Sequence, residues 1–286
     1  MTAMRQEKTG LVLEGGGMRG IFTAGVLDVF MEEGITFDGV IGVSAGAVHG
    51  SSFVSGQHGR SIRYYKKYCN DKRFMSYWNL IRTGDVAGVQ FCYHELPDIW
   101  DPYDYEAFRN AHTEFYVTCT NVESGKAEYL RICDMKKQVD LMRASASLPY
   151  VSRIVVKQGL KLLDGGLADS IPVLAFREMG FRKTVVVLTR QKGYIKPPEK
   201  TRLARVMYHK YPEFIETIRR RNQVYNKTLR RIEELEAAGE IFVIRPDAPP
   251  EMGRIERDPE KLQQLYDRGR RDALRRLPDL KLWLGK

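Results

Sequence analysis

The sequence predicts an α/β fold built on a mixed, mostly parallel sheet. Apolar runs typical of strands alternate with segments of helical length, which is the order that a parallel sheet requires. One pair of runs departs from this order, because 115–122 and 128–132 flank a short turn at Ser124-Gly125 and predict a hairpin. The predicted strands are 10–14, 38–43, 115–122, 128–132, 154–163 and 183–189.

Length and composition set the domain organisation. At 286 residues, with 43% hydrophobic and 29% charged residues, the chain can bury a full core as one large domain with a modest appendage. We expect an α/β core over 9–195 and a basic helical region over 196–286 that packs on it. A strand predicted at 241–244 is a candidate to join the sheet. Predicted helices include 21–33, 141–147 and a segment that begins at Ile171-Pro172.

The expected location is the cytoplasm. Residues 1–9 are polar and carry no secretory signal, and the weakly polar stretch 39–56 is shorter than the ~20 residues of a membrane-spanning helix. The four cysteines show no C-x-x-C spacing, which indicates neither a zinc site nor a disulfide framework. No metal or cofactor is therefore expected.

A glycine-rich loop follows the first predicted strand and precedes the first predicted helix. Backbone N–H groups in such a loop can approach a ligand closely and attract negative charge. The loop also satisfies the dinucleotide fingerprint G-x-G-x-x-G, so by itself it does not distinguish an oxyanion hole from a nucleotide site. Its residues are Gly15, Gly16, Gly17, Met18, Arg19 and Gly20.

The second predicted strand ends in a G-x-S-x-G motif formed by Gly42, Ser44 and Gly46. This motif places a nucleophilic serine on a sharp turn between strand and helix, where bulky neighbours would collide with the bend. A nicotinamide enzyme would instead carry an acidic residue at this strand end to hold the ribose. Asp38 lies at the other end of the strand, so the two loops together favour a serine hydrolase over a dinucleotide-binding protein.

A serine nucleophile needs a base, and none of the five histidines is a convincing one. His49 lies on the helix that follows the sharp turn at Ser44, which we call the elbow. His209 lies in a polar helical segment without an acidic turn nearby. The alternative base is Asp164, which ends a predicted strand and is followed by Gly165 and Gly166. A carboxylate can serve if it is held dry and close to the hydroxyl.

The three motifs, in this order, resemble the patatin-like phospholipase family. The Ala-Ser-Ala-Ser-Leu-Pro segment at 144–149 is similar to the one that this family carries before its aspartate, and the resemblance covers about residues 10–190. It implies a three-layer α/β/α fold and hydrolysis of acyl esters of lipids by a Ser–Asp dyad without histidine. It assigns Ser44 as nucleophile and Asp164 as general base. It further assigns the amides around Gly16, Gly17 and Met18 as oxyanion hole, and Arg19 matches the family's basic loop residue.

Aromatic residues cluster between 74 and 108, beside the predicted elbow. We expect them to pack in the core, as most large apolar side chains do. The functional alternative is an acyl-chain channel or a lid beside Ser44.

The last third of the chain is basic. Residues 200–286 hold 21 Lys and Arg against 14 Asp and Glu, a net charge of +7 out of +10 for the whole chain. Apolar residues at helical spacing predict one helix around 214–232, and a second is predicted over 258–277 with Asp258 as N-cap and Pro259 at its first position. These helices are expected to pack on the core, with peripheral attraction to an anionic membrane as the functional alternative. Nucleic-acid binding is not expected, because no recognition motif is present.

Overall fold

The structure is a computed structural model that describes residues 7–253 and 255–285. Its strands are β1 (Thr9–Leu13), β2 (Gly39–Val43), β3 (Glu114–Asn121), β4 (Ala127–Arg131), β5 (Val155–Lys157), β6 (Leu160–Asp164), β7 (Lys183–Val187) and β8 (Ile241–Ile244). Its α-helices are α1 (Ile21–Glu32), α2 (Ala45–Val54), α3 (Arg60–Tyr68), α4 (Tyr77–Thr83), α5 (Tyr105–Asn110), α6 (Met135–Ser145), α7 (Val173–Glu178), α8 (Arg202–Met207), α9 (Pro212–Ala237) and α10 (Pro259–Leu284). A π-helical segment spans Phe91–Trp100.

All eight strands form one mixed sheet. Hydrogen-bonded neighbours connect in the series β5-β6-β3-β2-β1-β7-β8, and β4 also pairs with β3. The strands from β3 through β8 along this order run parallel to one another, whereas β4 and β6 run antiparallel to β3. The predicted hairpin and the mixed sheet are therefore confirmed.

Helices cover both faces of the sheet, which gives three layers. Successive residues of β1 point to opposite faces, so Leu11 joins a core with α1, α2 and α10, while Val12 joins a second core with α7 and α9. A strand buried on both faces needs a near-continuous apolar sequence, which is what β1, β2 and β7 have.

The single strand predicted over 154–163 is wrong. The chain turns at Gln158 and Gly159, and β5 and β6 pair antiparallel on either side of that turn. Both turn residues have positive φ, 54° and 75°, as a tight two-residue hairpin turn requires. Glutamine is an unusual residue at such a position, so the sequence carried only half of the usual turn signal.

Two predicted helices have different bounds in the structure. The helix predicted at 141–147 is α6, which begins at Met135 because the Asp134 side chain accepts a hydrogen bond from Lys137 N and caps it. The helix predicted at 258–277 does begin after an Asp258 cap, but it continues past Pro278 to Leu284. Burial of the Leu280 and Leu284 side chains offsets the free energy lost with the backbone hydrogen bond that Pro278 removes.

The C-terminal helix α10 packs closely on α1. A Cβ at Gly25 would lie 2.1 Å from Tyr266 O, and a Cβ at Gly269 would lie 2.1 Å from Phe22 O, so the two backbones touch where both helices have glycine. Next to this contact the Tyr266 hydroxyl donates a 2.5 Å hydrogen bond to Asp28.

Within 7–253 and 255–285, no helix has both the length and the apolar character needed to cross a bilayer.

Candidate active site

Ser44 occupies a strained turn between β2 and α2. Its φ and ψ are 53° and −122°, a conformation that costs a non-glycine residue about 1–3 kcal/mol. The elbow also needs its glycines, because a Cβ at Gly42 would lie 2.4 Å from Ala47 Cα and a Cβ at Gly46 would lie 2.4 Å from Leu13 O. The turn thus holds the Ser44 hydroxyl at the carboxyl end of the sheet.

A buried serine of α6 supports this elbow. Ser145 Oγ accepts a 3.0 Å hydrogen bond from Ser44 N and donates a 2.7 Å hydrogen bond to Thr118 O. The Ala-Ser segment at 144–149 therefore links the elbow to β3.

The register of the sheet brings Ser44 and Asp164 together. Strands β2 and β6 lie along the same side of β3, since β4 occupies the other side over the residues they share. Val43 lies opposite Thr118, and Asp164 lies opposite the next residue, Cys119. Because β2 and β6 run in opposite directions, their carboxyl ends meet at this point.

Asp164 is buried and its turn is tightly packed. Its Oδ1 atom accepts a 2.7 Å hydrogen bond from Gly166 N, and its carbonyl oxygen accepts one from Thr120 Oγ1 at 2.8 Å. A Cβ at Gly165 would lie 2.2 Å from Thr118 O, so only glycine fits there. The two glycines thus hold the turn against β3 and fix one oxygen of the carboxylate.

The glycine loop lies beside the elbow. A Cβ at Gly15 would lie 3.0 Å from Val43 O, and one at Gly20 would lie 2.8 Å from Ala45 Cβ. Gly17 has a φ of 57° and begins a turn of 3-10 helix that ends at Gly20. Within the described part of the chain, the N–H groups of Gly16, Gly17 and Met18 have no hydrogen-bond acceptor.

A buried carboxylate that the sequence did not single out anchors this loop. Glu14 Oε2 accepts a 2.6 Å hydrogen bond from Thr189 N, and Oε1 accepts one from the Tyr225 hydroxyl at 2.6 Å. Burial and the adjacent Glu14 carboxylate raise the pKa of Tyr225, so its hydroxyl keeps its proton. The loop is thereby tied both to the end of β7 and to α9.

Ser44 borders two cavities of different character. A small one, of about 50 Å³, contains Ser44 and Asp164 together with most of the glycine loop and several basic side chains. The other, of about 480 Å³, is mostly apolar. The small cavity is lined by Glu14, Gly15, Gly16, Gly17, Arg19, Ser44, Leu148, Asp164, Gly166, Ser170, Arg190, Tyr194, Lys196, Arg221 and Tyr225.

The aromatic segment 74–108 divides between the two roles considered for it. Phe74, Tyr103 and Phe108 are buried in the core, as expected. Phe74 and Tyr103 also line the apolar cavity, so the segment forms much of its wall. Tyr77, Trp78 and Trp100 are instead 67%, 58% and 47% exposed, and for these three the expectation of burial is wrong.

All five histidines lie in the described part of the chain, and none of them lines either cavity. His49 is buried behind the elbow, where its Nδ1 atom lies 3.0 Å from Ser61 Oγ. Burial lowers the pKa of His49 to about 3, because the charged imidazolium would have to be desolvated.

Asp38 does not reach the glycine loop. It lies at the amino end of β2, where its Oδ2 atom accepts hydrogen bonds from Thr9 N at 2.6 Å and Thr9 Oγ1 at 2.8 Å. The carboxyl end of β2, where a dinucleotide site would place its acidic residue, leads into Ser44. The geometry gives no support to the dinucleotide alternative.

Several residues of the small cavity come from beyond the motifs. Arg190, Tyr194 and Lys196 follow β7, and Arg221 and Tyr225 lie on α9. The sequence did hold a signal for Arg221 and Tyr225. They are four residues apart, so they lie on the same face of α9 as the apolar residues that repeat at helical spacing. The run Arg219–Arg221 nevertheless reads as a solvated surface in the sequence.

The model of the family described as patatin-like phospholipase matches residues 11–177. A second model, described as a domain of unknown function (DUF6363), matches residues 211–285.

Among curated proteins, the uncharacterized protein YjjU of Escherichia coli is 32% identical over 183 residues, which are 63% of this chain and 51% of YjjU. Lysophospholipase NTE1 of Cryptococcus neoformans is 32% identical over 190 residues, 63% of this chain and 11% of NTE1. The chain thus spans about half of the first relative and a small part of the second. Among solved structures, VipD from Legionella pneumophila aligns with a TM-score of 0.49 at 14% identity, covering 96% of this chain and 67% of VipD.

Proposed function

The chain belongs to the patatin-like phospholipase family, and we propose that it hydrolyses acyl esters of lipids through a Ser44–Asp164 dyad. One observation carries this proposal: Val43 and Asp164 lie opposite consecutive residues of β3, so the ends of β2 and β6 meet. Ser44 and Asp164 accordingly line one small cavity. The lysophospholipase activity in the name of the NTE1 relatives agrees with this class of reaction.

The proposed reaction is a two-step acyl transfer. Asp164 takes the proton of Ser44 as the hydroxyl oxygen attacks the ester carbonyl, and the N–H groups of Gly16, Gly17 and Met18 stabilise the oxyanion. Collapse of the intermediate expels the alcohol, which takes the proton from Asp164. A water molecule, deprotonated by the same carboxylate, then releases the fatty acid. Burial of both residues, at 8% and 3% exposure, supplies the dry surroundings that a carboxylate base needs.

The apolar cavity is the proposed site of the acyl chain. It reaches Ser44, and its wall includes Tyr65, Phe74 and Leu96. Such a lining offers an aliphatic chain an environment that excludes water. Phospholipid, lysophospholipid, glyceride and thioester all carry such a chain.

A fluorophosphonate probe tests the nucleophile. We expect covalent labelling of Ser44, identified by peptide mass spectrometry, and loss of both labelling and lipid hydrolysis in Ser44→Ala. Ser147→Ala is a suitable control, since Ser147 lies in the segment next to the elbow and donates its hydrogen bond to Arg143 O. Labelling of another serine, or lipid hydrolysis that persists in Ser44→Ala, would refute the proposal. A panel of lipids with one common acyl chain then ranks the substrates.

A cytoplasmic location and contact of the basic C-terminal region with anionic membranes stay predictions. Many of its arginines form ion pairs within the protein, for example Arg270 with Glu32 and Arg275 with Asp247, so the attraction depends on the remaining charge. Liposome sedimentation with and without anionic lipid, alongside a DNA mobility shift, tests the contact. Equal sedimentation with both liposome types would exclude an electrostatic contact.

A further inference from the structure

Two side chains hold the turn that follows Asp164. Gly166 O accepts a 2.6 Å hydrogen bond from Arg221 Nε and a 2.7 Å hydrogen bond from Ser170 Oγ. The N–H of the same glycine donates the 2.7 Å hydrogen bond to Asp164 Oδ1. Contacts that fix Gly166 therefore also fix the donor on which this carboxylate oxygen rests.

Arg221 reaches the turn from the C-terminal region. It lies on α9, and its side chain is only 14% exposed. Its Nη1 atom donates a 2.5 Å hydrogen bond to Glu199 Oε1, while Nε donates to Gly166 O. Because both donors belong to one rigid planar group, these two contacts together define the orientation of the guanidinium.

The guanidinium also brings a positive charge close to the carboxylate. A Cβ at Gly166 would lie 3.0 Å from Asp164 Oδ1 and 3.6 Å from Arg221 Nη2, so both charged groups border this glycine. The other charged residues that line the small cavity are Glu14, Arg19, Arg190 and Lys196. Burial favours the protonated form of a carboxylate, which cannot act as a base, whereas a nearby cation favours the ionised form.

The same helix also reaches the glycine loop. Tyr225 lies one turn beyond Arg221 on α9 and donates a 2.6 Å hydrogen bond to Glu14, which directly precedes the loop. One helix thus contacts both the aspartate turn and the residue that anchors the proposed oxyanion loop. This helix lies outside residues 11–177, the part of the chain that matches the patatin-like family.

We propose that Arg221 is a positioning residue for Asp164: it holds the aspartate turn through Gly166 O, and its charge favours the ionised carboxylate. This inference rests on the proposed function and adds to it, because it makes a residue of the C-terminal region part of the active site. The proton passes between Ser44 and Asp164. Arg221 takes no part in that transfer and acts only through the place and the charge of the base.

The kinetics of two variants test this role with p-nitrophenyl butyrate, a water-soluble ester. We expect Arg221→Gln to lower kcat roughly ten- to a hundred-fold, as a misplaced catalytic group does, with KM within about two-fold of the wild type. The acid limb of its kcat/KM profile should move to higher pH by about one unit, because a carboxylate that loses a nearby cation needs a higher pH to ionise. Arg221→Lys keeps the charge but not the planar pair of donors. Its acid limb should stay near the wild-type position while kcat falls several-fold.

Two further variants serve as comparisons. Ser170→Ala removes the neutral hydrogen bond to the same Gly166 O, so kcat should fall a few-fold with the acid limb in place. Arg219→Gln lies in the same arginine run and removes an exposed guanidinium that pairs with Glu216. We expect its kcat and its acid limb to match those of the wild type.

Wild-type kcat in folded Arg221→Gln or in Arg221→Lys would overturn the positioning role. A fall of kcat in Arg221→Gln without a shift of the acid limb would overturn the effect of charge. Chemical denaturation shows whether each variant is folded, and Arg221→Lys decides the question if the Gln variant is not. Failure of wild-type Ser44 to react with a fluorophosphonate would refute the proposed function, whereas a reactive Ser44 combined with wild-type kinetics in Arg221→Gln would refute this inference alone.

Discussion

The backbone N–H of Ser44 donates a 3.0 Å hydrogen bond to the hydroxyl of Ser145, 101 residues further along the chain. The same hydroxyl donates to Thr118 O. Ser145 therefore links the elbow to the strand against which β2 and β6 end. A strained φ persists only where surrounding contacts determine it, and this hydrogen bond is one of those contacts.

Ser145→Ala is expected to impair both stability and turnover. The substitution leaves the Ser44 N–H and Thr118 O without their buried partner, at a cost of about 1–3 kcal/mol in the free energy of unfolding. A looser elbow should lower kcat about ten-fold. Ser147→Ala provides the comparison, since it also removes a buried hydroxyl. We expect it to lower stability without the loss of kcat; equal kcat values in the two variants would contradict a role of Ser145 in the elbow.

Gly17→Ala should lower kcat by about 10²–10³, because a displaced loop would misplace the N–H groups proposed for the oxyanion. The backbone strain of an alanine at φ 57° also destabilises the protein, by about 1 kcal/mol. Gly34→Ala is a matched control, with a φ of 63° and nothing within 4 Å of its added Cβ. Chemical denaturation and ester hydrolysis of both variants separate the two effects. Full activity of Gly17→Ala would exclude the loop from catalysis.

Tyr225→Phe should impair the candidate active site, because it removes a contact that the C-terminal region makes with it. It removes one of the hydrogen bonds to the buried Glu14, which costs about 1–3 kcal/mol, and releases the glycine loop from α9. We expect a several-fold loss of kcat. Tyr266→Phe removes a comparable bond to the buried Asp28, away from Ser44, and should destabilise the protein with kcat unchanged. The measurement is the ratio of kcat in Tyr225→Phe to kcat in Tyr266→Phe.

His49 should make the fold sensitive to acid. Its folded pKa of about 3 lies below the ordinary 6.5, so the unfolded chain binds the proton more readily and stability falls as pH drops through 6.5 toward 3. By pH 5 the loss is about 2 kcal/mol. In urea unfolding at pH 7 and pH 5, His49→Gln should show a smaller loss than the wild type, and the exposed His209→Gln should behave like the wild type. An unchanged pH dependence in His49→Gln would count against this assignment.

The chain order of strands and helices was predictable because each central strand is an apolar run bounded by glycine or polar residues. The hairpin at Gln158 and the helix end beyond Pro278 were not, since both violate a local preference that tertiary packing overrides. The motif positions at Ser44 and Asp164 follow from local turn chemistry. Glu14, Arg190 and Arg221 line the small cavity because of long-range contacts, which no local sequence pattern encodes.

The central claim is that Asp164 acts as the base for Ser44, and the kcat of Asp164→Asn for a lipid ester tests it most directly. An asparagine can still accept the hydrogen bond from Gly166 N, so the turn should remain intact. Asp169→Asn is the control, because Asp169 is a half-buried carboxylate that also accepts hydrogen bonds, from the Tyr129 hydroxyl and from Ile171 N. We predict that kcat falls at least 10²-fold in Asp164→Asn and stays near the wild-type value in Asp169→Asn. Near-full activity of folded Asp164→Asn would contradict the dyad.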